Sequence, residues 1–93
     1  MEIKFFLKKN CDKCVYAKGK LGALAAQSIF FDVDTRDGLA ESMIYDVQAL
    51  PAIIVTEDER EVMAWRGGEH HDQPLLAFLR KLEQHAAAAP AGA

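Results

Sequence analysis

The sequence predicts an α/β domain in which a four-stranded mixed sheet is covered by helices on both faces. The order of apolar segments is strand, helix, strand, helix, strand, strand, helix, and such alternation favours this architecture. The first strand leads directly into a pair of cysteines at the start of the first helical segment. A length of 93 residues suits one core rather than two. We expect a single domain over residues 1–85 and a flexible tail over residues 86–93, which are alanine-rich and have nothing to bury.

The first half of the chain alternates strand and helix. Residues 2–8 hold an apolar run that is typical of a central strand covered on both faces. Residues 12–26 follow a helical stripe, in which Gly19 and Gly22 are expected to allow close packing on the sheet. Residues 28–34 form a second strand, which a right-handed crossover would place parallel to the first.

The second half adds a short helix, a hairpin and a final helix. Residues 38–47 are predicted to form an amphipathic helix with Asp37 as its N-cap. The apolar residues on one side of this helix are Leu39, Met43, Ile44 and Val47. Pro51 opens the third strand, where proline is tolerated, and residues 60–66 alternate as its hairpin partner. Residues 72–85 are predicted to form the last helix.

The composition is that of a folded globular domain, with 51% hydrophobic and 27% charged residues. No apolar run approaches the roughly 18 residues of a membrane span. The chain begins without a basic segment followed by an apolar one, as a secretory leader would require. We therefore expect a cytoplasmic protein that does not contact a membrane.

The charges are distributed unevenly along the chain. Residues 1–20 hold six lysines against two acidic residues, whereas the remainder holds five basic and twelve acidic residues. The basic end is therefore the cysteine end, where a positive field would stabilise a thiolate and attract an acidic partner or an anionic thiol. The acidic overall balance and the lack of interleaved aromatic and basic residues exclude a typical nucleic-acid binding surface.

The two cysteines carry the candidate chemistry. Cys11 lies at or just before the start of the first helix, where unpaired N–H groups and the helix dipole favour an anion. A thiolate is such an anion, so the pKa of Cys11 is expected to fall. Cys14, about one turn further on, can reach back to form a disulfide. Because Cys-x-x-Cys in a strand–helix–strand context is a redox signature, the pattern predicts a dithiol–disulfide redox protein.

From Ile3 to Leu82 the chain resembles the thioredoxin fold, and within it the small glutaredoxin-like branch. Four local matches carry the resemblance. They are the Cys-x-x-Cys motif after the first strand, Lys8 three positions before Cys11, Leu50-Pro51 before the third strand, and Gly67-Gly68 after the fourth.

The resemblance implies a role for each of these residues. Cys11 would be the attacking thiol and Cys14 the resolving thiol. Pro51, with a cis peptide bond before it, would lie beside the disulfide and leave the backbone of Leu50 free to pair with an extended substrate. The implied substrate-binding residues are Lys8, Asn10, Leu50, Pro51, Gly67 and Gly68.

The same resemblance implies a small electron-transport oxidoreductase without a metal or an organic cofactor. Its partners would be a protein disulfide and either a reductase or a low-molecular-weight thiol such as glutathione, and it would act as a monomer.

Other interpretations of the cysteine pair stay open. Two thiolates supply half of a tetrahedral zinc site, although the adjacent His70 and His71 would point apart. Copper-carrier domains also place Cys-x-x-Cys after a first strand, but their element order differs. The domain could thus be a carrier that holds metal or passes sulfur or electrons to one dedicated complex, or a redox-inert adaptor.

Overall fold

The computed structural model describes residues 1–67 and 72–88 and confirms the mixed four-stranded sheet with helices. The strands are β1 (Glu2–Leu7), β2 (Ser28–Asp32), β3 (Ala52–Glu57) and β4 (Arg60–Arg66). Their order across the sheet is β2-β1-β3-β4. β1 pairs parallel with β2 and antiparallel with β3, and β3 pairs antiparallel with β4. The helices are α1 (Asp12–Lys20), α2 (Arg36–Ile44) and α3 (Asp72–Ala88).

The two central strands contribute to a core on each face of the sheet, because successive side chains of a strand point to opposite faces. On one face, Ile3 and Phe5 of β1 pack with buried residues of α1 and α3. On the other face, Phe6 packs with Ala52 and Ile54 of β3 in a smaller cluster. Burial on both faces explains why the apolar run of β1 is continuous rather than alternating.

The first helix ends earlier than the sequence predicted. α1 stops at Lys20 and is followed by a 3₁₀ helix, Gly22–Gln27. Gly22 has a φ of 58°, a left-handed conformation that ends α-helices and that glycine adopts without strain. The predicted close packing at the two glycines is wrong, because a methyl group added at Gly19 or Gly22 would meet nothing within 4 Å.

The second helix begins two residues before its predicted start and is capped by Thr35 rather than Asp37. The Thr35 hydroxyl accepts a hydrogen bond from the Gly38 N–H at 3.1 Å, which satisfies one of the unpaired donors of the first turn. Asp37 lies inside that first turn. Its carboxylate therefore interacts favourably with the helix dipole but does not cap the helix.

α2 approaches the sheet through small residues instead of its apolar ones. Gly38 and Ser42 are buried, and a side chain at Gly38 would collide with the backbone carbonyl of Asp32. The predicted apolar side lies largely in solvent: Leu39, Met43 and Ile44 are 51%, 74% and 68% exposed.

Lys4 of β1 is buried on the α2 side of the sheet, with 8% of its surface exposed. Its ammonium group donates to the Tyr45 hydroxyl at 2.9 Å and to the Glu41 carboxylate at 3.2 Å. Burial alone would lower the pKa of Lys4, but these hydrogen bonds and the Glu41 charge outweigh it and raise the pKa. A polar contact thus joins α2 to the central strand, where an apolar one would be usual.

The remaining elements lie close to their predicted positions. β2 ends at Asp32 because the chain turns there: the Asp32 carboxylate and carbonyl accept hydrogen bonds from the N–H groups of Asp34 and Thr35. β4 matches its predicted bounds, and its hairpin turn holds Asp58 and Glu59 at positive φ.

α3 continues three residues beyond the predicted end of the last helix, to Ala88. Part of the predicted tail is thus helical, and residues 89–93 lie outside the described residues. No helix in the described part of the chain is long and apolar enough to cross a membrane.

Candidate active site

The structure joins Cys11 and Cys14 in a disulfide, with their Cα atoms 5.2 Å apart. Cys11 is the N-cap of α1 and has an extended backbone, with a φ of −120°. Its Sγ accepts a hydrogen bond from the backbone N–H of Cys14 at 3.2 Å. The sulfur therefore occupies the place that a serine or aspartate oxygen takes at many helix N-termini.

The two sulfur-bearing residues differ in their access to solvent. Cys14 is buried, with 3% of its surface exposed, because it lies on the face of α1 that packs on the sheet. Cys11 is half-buried and lines an open groove. A substrate approaching through this groove therefore meets Cys11 first.

The groove beside Cys11 has a volume of about 440 Å³ and two walls of different character. The first wall is the segment around the first cysteine, which contributes Lys8, Asn10, Cys11, Asp12 and Lys13. The second wall is the segment before β3, which contributes Gln48 and Leu50. Three of the predicted substrate-binding residues, Lys8, Asn10 and Leu50, thus lie around one opening.

Pro51 and Gly67 are not among the residues that line the groove, although Pro51 directly follows Leu50 of the second wall. The Leu50–Pro51 peptide bond is cis, and Pro51 is buried. The Gly67 N–H donates to the Pro51 carbonyl at 3.1 Å. A side chain at Gly67 would collide with the Trp65 ring, so this close approach requires glycine. Gly68, the last predicted substrate-binding residue, lies outside the described residues.

Some groove residues were not among those predicted to bind substrate. Asp12 and Lys13 line the groove because they lie between the two cysteines. That position in the sequence could have predicted that they lie at the site. Gln48 reaches the groove because its segment folds back towards Cys11, and no sequence pattern indicated this. The Gln48 amide donates to the Asp46 carboxylate at 2.8 Å, which orients it.

A metal site finds no support in the described part of the chain. Within residues 1–67 and 72–88, no group of three or more histidine, cysteine, aspartate or glutamate side chains could hold a metal ion. His70 and His71, the additional ligands considered for zinc, lie outside these residues.

Comparisons with solved structures identify the fold. Thioredoxin 1 from Thermosipho africanus superposes with a TM-score of 0.68 at 15% identity, over 94% of this chain and 99% of that one. A thioredoxin from Thermus thermophilus gives a TM-score of 0.62 at 22% identity, over 90% of this chain and 72% of that one. The germline-specific thioredoxin Deadhead from Drosophila melanogaster gives 0.61 at 18% identity, over 95% and 79%.

The chain therefore has the thioredoxin fold, as its resemblance implied. No protein-family model matches it, and no curated protein matches it in sequence. At these identities the similar structures establish the fold alone, so assignment to the glutaredoxin-like branch stays a prediction. A Cys-x-x-Cys disulfide at a helix N-terminus of this fold supports a thiol redox role.

Proposed function

We propose that this protein is a thiol–disulfide oxidoreductase that exchanges two electrons with protein disulfides through Cys11 and Cys14. The observation that carries the proposal is the asymmetry of the pair. The Cys11 sulfur caps α1 and borders the groove, while Cys14 is buried one turn further on. An accessible nucleophile with a shielded resolving partner is the arrangement that two-step disulfide exchange requires.

The reaction begins from the reduced protein. The Cys11 thiolate, stabilised by the N–H groups at the start of α1, attacks one sulfur of the substrate disulfide. A bond forms between Cys11 and that sulfur as the substrate S–S bond breaks, and the departing thiolate takes a proton from solvent.

The second step releases the substrate. Cys14 loses its proton to solvent and attacks the Cys11 sulfur. The Cys11–Cys14 disulfide forms, and the second substrate sulfur leaves and is protonated. Two electrons and two protons have then passed to the substrate, and a reductase or a low-molecular-weight thiol such as glutathione restores the dithiol.

The second wall of the groove is proposed to hold the substrate backbone. Leu50 lines the same groove as Cys11, and Pro51 has no N–H of its own to compete for a backbone partner. An extended substrate segment could pair with the Leu50 backbone and present its sulfur to Cys11. The glutaredoxin-like subtype, a cytoplasmic location and a monomeric state belong to this proposal.

Single-cysteine variants test the proposed roles. Cys14→Ser should accumulate a mixed disulfide with substrate, because the resolving thiol is lost while the attacking thiol remains. Cys11→Ser should lose disulfide reduction altogether. The measurements are intact mass under non-reducing conditions and the rate of insulin reduction with a dithiol as electron donor.

Full insulin reduction by Cys11→Ser would contradict the role of Cys11. Metal content, measured on the reduced wild-type protein beside its titratable thiol count, separates the proposal from the carrier alternative. Stoichiometric metal with blocked thiols would favour a carrier.

A further inference from the structure

The two walls of the groove beside Cys11 differ in charge. The first wall contains two lysines, Lys8 and Lys13, and one acidic residue, Asp12. The second wall, Gln48 and Leu50, carries no charge. The Asp46 carboxylate, two residues before Gln48, already accepts the Gln48 amide. Among the described residues that line the groove, the net charge is therefore positive, and it lies on the segment that carries the reacting sulfur.

Lys8 is the ammonium group available to a substrate. It is exposed, and among residues 1–67 and 72–88 it forms no ion pair or side-chain hydrogen bond. Lys13, by contrast, already interacts with another group of the protein. Lys9 is also exposed and follows Lys8 directly, so it reinforces the positive field at the groove entrance without lining the groove.

We propose that the groove selects protein disulfides flanked by acidic residues, and that Lys8 determines this specificity. The inference rests on the proposed oxidoreductase function and concerns the substrate of the same site. A carboxylate next to the substrate cysteine would meet the Lys8 ammonium as the substrate sulfur meets Cys11. The contact lies in solvent, so it acts mainly on encounter and orientation and is screened by salt.

The experiment compares two peptide disulfides that are identical except at the positions flanking one cysteine, which are glutamate in one and glutamine in the other. The reduced protein is mixed with each peptide, and the second-order rate constant of the single reduction is measured at about 10 mM and about 150 mM salt. We expect the acidic peptide to be preferred about three- to five-fold at low salt. The preference should shrink at the higher salt concentration.

Two variants connect the preference to Lys8. Lys8→Gln should bring the two peptides to within about two-fold of each other, and Lys8→Glu should reverse the preference. Lys81→Gln is the matched control, since it removes an exposed lysine from α3, a helix that contributes no described residue to the groove. This control should keep the wild-type ratio, and far-UV circular dichroism checks that all variants are folded.

The outcomes separate this inference from the function on which it rests. Equal reduction of both peptides by the wild type, or an unchanged ratio in Lys8→Gln, would overturn the acidic specificity and leave the oxidoreductase function intact. Reduction of neither peptide would overturn both. Oxidised glutathione serves as a small carboxylate-bearing disulfide, and its faster turnover than that of the acidic peptide would overturn the assignment to protein substrates.

Discussion

Lys4 is buried in a central strand although lysine is among the residues least often buried. Its ammonium group is 4.5 Å from the centre of the Tyr45 ring. Glu41 and Tyr45 satisfy the charge with hydrogen bonds. A buried charge of this kind stabilises the fold only while its partners are present.

Removal of the partner should therefore cost more than removal of the lysine itself. We expect Glu41→Ala to lower the free energy of unfolding by about 1–3 kcal/mol, because it removes the carboxylate that is hydrogen-bonded to the buried ammonium and leaves only the more distant and more exposed Glu2, at 4.0 Å, as a counter-charge. Lys4→Met should cost less, since methionine fills similar space and Glu41 and Tyr45 are accessible enough to be hydrated. The measurement is urea unfolding at neutral pH, and a larger loss in Lys4→Met would contradict this account.

The raised pKa of Lys4 adds a pH dependence to the same comparison. A group whose pKa is higher in the folded state stabilises the protein fully below its ordinary value, here 10.5, and loses this contribution as the pH rises through the folded value. The stability advantage of the wild type over Lys4→Met should thus be larger at about pH 9 than at about pH 11.5. An advantage that grows with pH would show that the pKa shift has the opposite sign.

At the scale of elements, α2 depends on its cap more than on its apolar side. Thr35 accepts the Gly38 N–H and donates its hydroxyl to the Asp32 carbonyl at 2.6 Å. One side chain thus links the end of β2 to the start of α2. The exposed Leu39 and Met43 contribute little burial, so the position of the helix is decided at its N-terminus and by Lys4.

Substitution of the cap tests this view. Thr35→Ala should lower the free energy of unfolding by about 1 kcal/mol, because it removes the cap and the link to β2. Thr35→Ser keeps the hydroxyl and should stay close to the wild type. Asp37→Ala should cost only about 0.3–0.5 kcal/mol through the helix dipole. Urea midpoints of the three variants decide the question, and a greater loss in Asp37→Ala would restore Asp37 as the cap.

At the scale of the whole molecule, the two cores share the same strands. β1 contributes Ile3 and Phe5 to one cluster and Phe6 to the other, and β3 likewise contributes to both. If the side chains on one face of the sheet lost their packing, β1 and β3 would be exposed there, and the cluster on the other face packs against the same two strands. The groove beside Cys11 lies at the end of β1 that leads into α1, so the residues that line it are attached to these shared strands.

This arrangement predicts one cooperative unfolding transition. Trp65 packs against the larger cluster and is the only tryptophan of the chain, so its fluorescence reports on that face. Far-UV circular dichroism reports on all helices and strands. The two signals should share one urea midpoint in the oxidised protein. Separate midpoints would show that the faces unfold independently and that the chain is not a single domain.

The strands could be predicted from the sequence more accurately than the helix bounds, and the reasons are physical. The strands were predictable because continuous apolar runs and period-two alternation are local signals of burial. The bounds of α1 and α2 could not be predicted in the same way. Those of α1 depend on the left-handed turn at Gly22, and those of α2 on the contact of Gly38 with Asp32. The apolar residues of α2 suggested a buried face, but contacts through small residues turned that face to solvent.

The sequence alone determined the element order of this protein, the position of the two cysteines that carry the proposed chemistry, and the charges beside them along the chain. Cys-x-x-Cys at a strand–helix junction places a sulfur at a helix N-terminus by local geometry, and the lysines next to it are neighbours along the chain. Only the tertiary structure decided which of the two cysteines is accessible and which residues from a distant part of the chain line the groove beside it. Burial of Cys14 depends on the packing of α1, and Gln48 and Leu50 reach the groove through strand pairing between distant segments, which no local pattern specifies.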